Sequence, residues 1–144
     1  MKIAKITKNM ASDEEIKKTF RLTVGEEGIL YFEITGNVDD VAANVRQAEL
    51  STQCLKEALG KNPDQKFKCL VDLSAISKTA HYPSPQARQI FAETIDHKQL
   101  IKIAVIVPRI LVQAVMNFIL YAVNKKRKVK LFKTKKEALD WLKK

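Results

Sequence analysis

Glycine, cysteine and histidine are scarce in this chain, and each shortage closes a class of function. Four glycines occur in 144 residues, and none falls in a spacing that could cradle a phosphate or a dinucleotide. His81, His97, Cys54 and Cys69 match no zinc-ligand spacing, so no metal site is expected. Two cysteines cannot build a disulfide scaffold, and both are expected as free thiols behaving as small hydrophobes. The Gly-x-Ser-x-Gly elbow of a serine hydrolase is missing. Met1–Lys8 contains no continuous apolar run, which predicts no signal peptide and a cytoplasmic protein. No motif calls for a cofactor.

What is present reads as one ordinary α/β domain over residues 17–144, preceded by an extension or weak strand at 1–16. The hydrophobic share of 46% suits a packed core without metals or disulfides. Thr19–Val24 alternates, Glu26-Glu-Gly28 supplies a turn, and Ile29–Thr35 is rich in β-formers, which together predict a hairpin. Asn37 is placed to cap a helix with Asp39 and Asp40 in its first turn. Val41, Val45, Ala48, Thr52, Leu55 and Leu59 then share a face, and Gly60 stops the helix.

Three strands follow, at Phe67–Leu73, Ile101–Val107 and Lys128–Phe132. Ser84 with Pro85 marks the start of one helix between them, and Thr134-Lys-Lys-Glu137 is a capping box opening the last. Strands alternating with helices predict a parallel sheet, because parallel neighbours need a crossover. The expected fold is therefore a single mixed, mostly parallel sheet with an N-terminal β-hairpin and about four helices.

Ile101–Val123 is apolar enough to suggest a membrane span. Lys102, Pro108, Arg109, Gln113 and Asn117 argue against it, since a charge near the centre of a span costs about 2.5–3.5 kcal/mol. A strand to Val107 followed by a helix from Pro108 accounts for every polar residue. That helix would be apolar around most of its circumference. It is expected to be buried centrally, or to support a homodimer or hold a small apolar ligand.

The net charge of +10 is concentrated at one end. Residues 125–144 hold ten Lys or Arg against Glu137 and Asp140, a net of +8, leaving +2 for residues 1–124. Lys125, Lys126, Arg127 and Lys128 are the candidate anion contacts, with nucleic acid as one conceivable partner.

Candidate chemistry gathers after the first central strand. Asp72 closes that strand, and Ser74, Ser77, His81, Tyr82 and Ser84 follow on the connection, where sites in parallel sheets collect. A Ser-His-Asp triad can be drawn from these residues, but without the elbow no catalytic set is expected. The Ser74–Gln86 loop with the following helix start is instead the expected contact surface. Helix capping by Ser84 is the simpler role, with phosphorylation there a second one, because a helix N-terminus favours phosphate.

The order of elements, with Leu70-Val-Asp-Leu-Ser74, Lys102-Ile-Ala-Val-Ile-Val107 and Phe132…Glu137-Ala-Leu-Asp-Trp-Leu142, resembles the STAS-like (SpoIIAA-like) domains across residues 18–143. The resemblance implies a small mixed sheet with helices packed on it and no enzymatic activity. It also implies docking to partner proteins or binding of small ligands. Anti-sigma-factor antagonists of that family carry Asp-Ser-x-Gly with a phosphoacceptor serine at the second helix. Here the matching place reads Tyr82-Pro-Ser-Pro-Gln86, without the aspartate or the glycine, which places the chain with the stand-alone branch. The function so implied is regulatory protein binding, with an apolar-ligand carrier and a nucleic-acid binder as alternatives from other classes.

Overall fold

A computed structural model describes residues 12–35, 40–75, 84–107 and 128–144. The apolar segment Ile110–Val123 lies outside the described residues. Five strands form one sheet in the order β1-β2-β3-β4-β5. They are β1 (Phe20–Val24), β2 (Ile29–Ile34), β3 (Phe67–Asp72), β4 (Leu100–Ile106) and β5 (Val129–Phe132). β1 runs antiparallel to β2, and every other pair is parallel. The described helices are α1 (Asp13–Lys17), α2 (Val41–Gly60), α3 (Pro85–Ile95) and α4 (Lys135–Lys143). The expected fold class is what the structure shows.

The hairpin turns through a single 3-10 turn, Glu26–Gly28, in which Glu27 and Gly28 both take left-handed backbone angles (φ 60° and 70°). Gly25 is needed for a different reason. A Cβ there would collide with the Tyr31 ring across the hairpin.

Side-chain alternation along the strands sorts two cores. Leu30, Phe67, Cys69, Ile103, Val105 and Val129 face one way and pack with Leu55 and Leu59 of α2. Ile29, Leu70, Ala104 and Ile106 face the other way, under Ala138 and Leu142 of α4. Leu100 and Ile103 share the first face although three residues apart. The register slips between Phe67 and Lys68, and the extra residue Ile101 is pushed outward, 46% exposed. Because the strand order never reverses, right-handed crossovers carry α2 and α3 to the same side. They pack together through a buried hydroxyl pair, Thr52 Oγ1 to Thr94 Oγ1 at 2.9 Å.

Several local expectations need correction. The extension at 1–16 contains no described strand. Ser12 instead caps α1 by accepting the Glu15 N–H (3.2 Å), and Ile16 is buried beside Phe20, Ala43 and Leu50. Arg46 holds α1 in place with two bonds to the Asp13 carboxylate, at 2.8 and 2.9 Å. Asn37 and Asp39 lie outside the described residues, and Asp40 is the N-cap of α2, accepting from the Ala43 N–H at 3.0 Å. Val41 therefore sits in the first turn, 63% exposed, rather than on the inner face. Gly60 is the last residue within α2, and the end is made by Lys61 in right-handed geometry.

Gln99 closes that helix end. Its buried side-chain amide points at the carbonyls of Leu59, Asn62 and Gln65, at 3.0–3.1 Å. Thr134 caps α4 as expected, accepting the Glu137 N–H on Oγ1 at 3.2 Å, while its hydroxyl donates to the Glu137 carboxylate at 3.0 Å. At the other end of α4, the Lys102 ammonium donates to the Trp141 carbonyl (3.0 Å) and lies 4.7 Å over its ring.

Candidate functional site

The carboxyl ends of the parallel strands bring two helix starts together. Each crossover helix begins where its preceding strand ends, so the N-termini of α2 and α3 lie on the same rim of the sheet. Asn44 in the first turns of α2 accepts the backbone N–H of Ser84 through its side-chain oxygen, at 3.3 Å. Ser84 in turn caps α3. Its Oγ accepts the Ala87 N–H at 3.2 Å, and Pro85 opens the helix where no N–H is required. Neither helix has an acidic residue in its first turn. The partial positive charge of the α3 start is thus left unneutralised by its own sequence.

Asp72 and Ser74 form a second, separate unit. One carboxylate oxygen of Asp72 accepts both the Ser74 N–H (2.9 Å) and the Ser74 hydroxyl (2.6 Å). This is an Asx turn that bends the chain off β3, fixed further by the Leu73 N–H on the Ile106 carbonyl (2.9 Å). Alternation along β3 puts Asp72 on the α4 side of the sheet, whereas α3 lies on the opposite side. No hydrogen bond joins Ser84 to Asp72 or Ser74 among the described residues. The oxygens that a triad would use are engaged in shaping backbone.

Of the other residues singled out from the sequence, Ser77, His81, Tyr82, Lys125, Lys126 and Arg127 lie outside the described residues. Lys128 is at the far end of the sheet, before β5, with its ammonium 3.0 Å from the His97 carbonyl. Near it, burial first and then the charges of Lys128, Lys56 and Lys98 hold His97 below the usual imidazole range. His97 Nδ1 accepts the Gln99 N–H at 3.2 Å, so the neutral ring is the form that fits. The C-terminal basicity is therefore divided in space. Lys128 serves the amino rim, while Lys130 and Lys135 lie over the Phe132 and Tyr31 rings near α4.

Asp40, expected in the first turn, is instead the cap, and Asn44 is not among the expected site residues. Asp40 carried a legible signal, being a capping residue three before Ala43, but Asn44 acts across forty positions of chain and carried none.

Among the described residues no group of three His, Cys, Asp or Glu is placed to hold a metal ion, and no helix is long and apolar enough to cross a membrane. The family model described as "Domain of unknown function (DUF7793)" matches residues 23–144. The chain belongs to that family. No curated protein matches it. The DUF7793 match begins inside β1 and runs through α4, so the paired helix starts and the Asp72–Ser74 turn all fall within the family region, while α1 precedes it.

Proposed function

We propose that this DUF7793 domain is a non-catalytic, STAS-like regulatory module that binds a partner protein along the carboxyl rim, centred on Ser84. The observation that carries the reading is the joined pair of helix starts, Asn44 to Ser84, presented on one rim with Ser84 already in the capping position. Among the described residues, an N-terminal hairpin followed by strands and helices on one mixed sheet is compatible with the STAS-like resemblance. The strand order adds support. Ligand crevices in open α/β sheets form where the order reverses and successive helices part to opposite faces, and here it runs straight from β1 to β5.

Phosphorylation of Ser84 would keep the cap and set about two negative charges on the dipole end of α3. Such a change alters the rim without unfolding the helix, which is what a docking switch requires.

The test compares cross-linked partners captured by the wild-type protein with those captured by Gln86→Arg and Ser84→Asp, using Lys136→Glu on α4 as a distant control. One partner retained by the control and lost or exchanged in both rim variants is the expected result. Identical capture by all four proteins would refute the rim as the contact surface.

A further inference from the structure

β1 is the outermost strand of the sheet, and its pairing with β2 determines which way its backbone faces. The Thr35 N–H reaches the Thr19 carbonyl at 2.7 Å, and the Gly25 N–H reaches the Ile29 carbonyl at 2.8 Å. Thr19, Arg21, Thr23 and Gly25 are thus the residues bonded toward β2. Phe20, Leu22 and Val24 direct their N–H and C=O groups outward, where no described residue meets them.

The edge has few of the devices that normally protect one. β1 contains no proline and no lysine, and its register against β2 is unbroken. Its single charge, Arg21, lies on the other face, 3.3 Å from Glu33 of β2. Val24 is left 59% exposed at the end of the strand.

We propose that this edge pairs antiparallel with β1 of a second copy of the chain, joining two five-stranded sheets into one of ten strands. The strand is complementary to itself. With the two-fold axis at Leu22, Leu22 meets Leu22 of the second copy, and Phe20 meets Val24 in both directions. All three pairs consist of outward-facing residues, so each exchanges two backbone bonds. On the apolar face, Val24 lies opposite Phe20, whose ring stays buried in its own core. On the polar face, Arg21 lies opposite Thr23. Shifting the axis to Thr23 or Arg21 drops the bonded pairs from three to two, and the Arg21 register also sets two guanidinium groups against each other. A five-residue strand pair buries less than the roughly 1,200 Å² of a stable interface, so the dimer is weak, with a Kd of about 0.1–1 mM.

Sedimentation equilibrium of the full chain from about 10 μM to about 1 mM reads this directly. The mean mass is expected to rise from 16.4 kDa toward twice that value. Val24→Pro removes an outward N–H that bonds no described residue, and edge strands accept proline. It is expected to weaken association at least tenfold with an unchanged circular dichroism spectrum, and Val24→Lys gives the same comparison should the proline variant fail to fold. In a Cys54→Ala background, a mixture of Arg21→Cys and Thr23→Cys proteins should form a disulfide several-fold faster than either protein alone.

A mass independent of concentration overturns the proposal, whether the edge stays bare or is covered by another part of the same chain. Undiminished dimer in both Val24 variants, or equal cross-linking of Arg21→Cys with itself, overturns it as well. None of these outcomes touches the carboxyl rim at Ser84.

Discussion

Gln99 offers the sharpest test of how the amino rim is held. Its side-chain nitrogen carries two protons and faces three carbonyls, those of Leu59, Asn62 and Gln65, so one proton is shared. The carbonyls of Leu59 and Asn62 each keep a backbone partner without it, at 3.2 and 3.0 Å, but Gln65 depends on Gln99. Gln99→Met keeps the length and removes the donors. Two bonds at about 1 kcal/mol each, with about 1–2 kcal/mol for leaving a partly buried carbonyl unsatisfied, give a loss of roughly 3–4 kcal/mol. With an m-value near 2 kcal/mol/M, the urea midpoint falls by about 1.5–2 M, followed by the fluorescence of Trp141, the chain's one tryptophan. Gln99→Glu puts an acceptor against carbonyl oxygens, which raises the folded-state pKa of the new carboxyl. Its stability is therefore greatest below the unfolded pKa and is lost as pH rises, so its deficit should exceed that of methionine at pH 7 and shrink toward pH 5. A midpoint within about 0.3 M of wild type for the methionine variant, under 1 kcal/mol, would refute the clasp.

The two buried threonines between α2 and α3 should respond unequally. Thr94 gives its proton to the Ile90 carbonyl (2.9 Å), which makes Thr52 the donor in their mutual bond. Thr94→Val strands the Thr52 hydroxyl and should cost about 1–3 kcal/mol, Thr52→Val about 1 or less, and the double variant less than the sum, as a denaturation cycle would show. His97 is held below its ordinary pKa, so its contribution is complete above the unfolded value near 6.5 and fades as pH falls through the folded one. Thermal midpoints should drop between about pH 7 and 5.5, and His97→Asn, which still accepts from Gln99, should flatten that slope. Burial pushes the Cys69 thiol up to about 12, whereas Cys54 is only half-buried. A thiol reagent at neutral pH should label Cys54 first and reach Cys69 only on unfolding.

Much of the fold was legible because it is written in short-range patterns. Val and Ile runs fixed the central strands, and Ser84-Pro85 and Thr134…Glu137 fixed two helix starts to the residue. The short helix α1 was missed even though Ser12-x-x-Glu15 carries a capping-box spacing. Five residues are too few for a period to show, and the helix is held by long-range contacts of Ile16 and Asp13. Ile101 opens an apolar strand, and only the bulge against β3, a long-range feature, turns it outward. The candidate site was half legible. Ser84 and Asp72 each declare a capping or turning role, but that they lie on opposite sides of the sheet follows only from the crossover geometry. The Gln99 clasp spans more than thirty positions and leaves no local trace.

The uninterrupted sequence of neighbours, β1 beside β2 beside β3 beside β4 beside β5, bears on how the molecule is made. No late strand has to be wedged between two earlier ones. A chain emerging from the ribosome can therefore lay each strand onto the current border of the growing sheet, with α2, α3 and α4 following β2, β3 and β5. Every intermediate on such a route is a smaller version of the finished sheet, so vectorial synthesis and final topology run in the same direction.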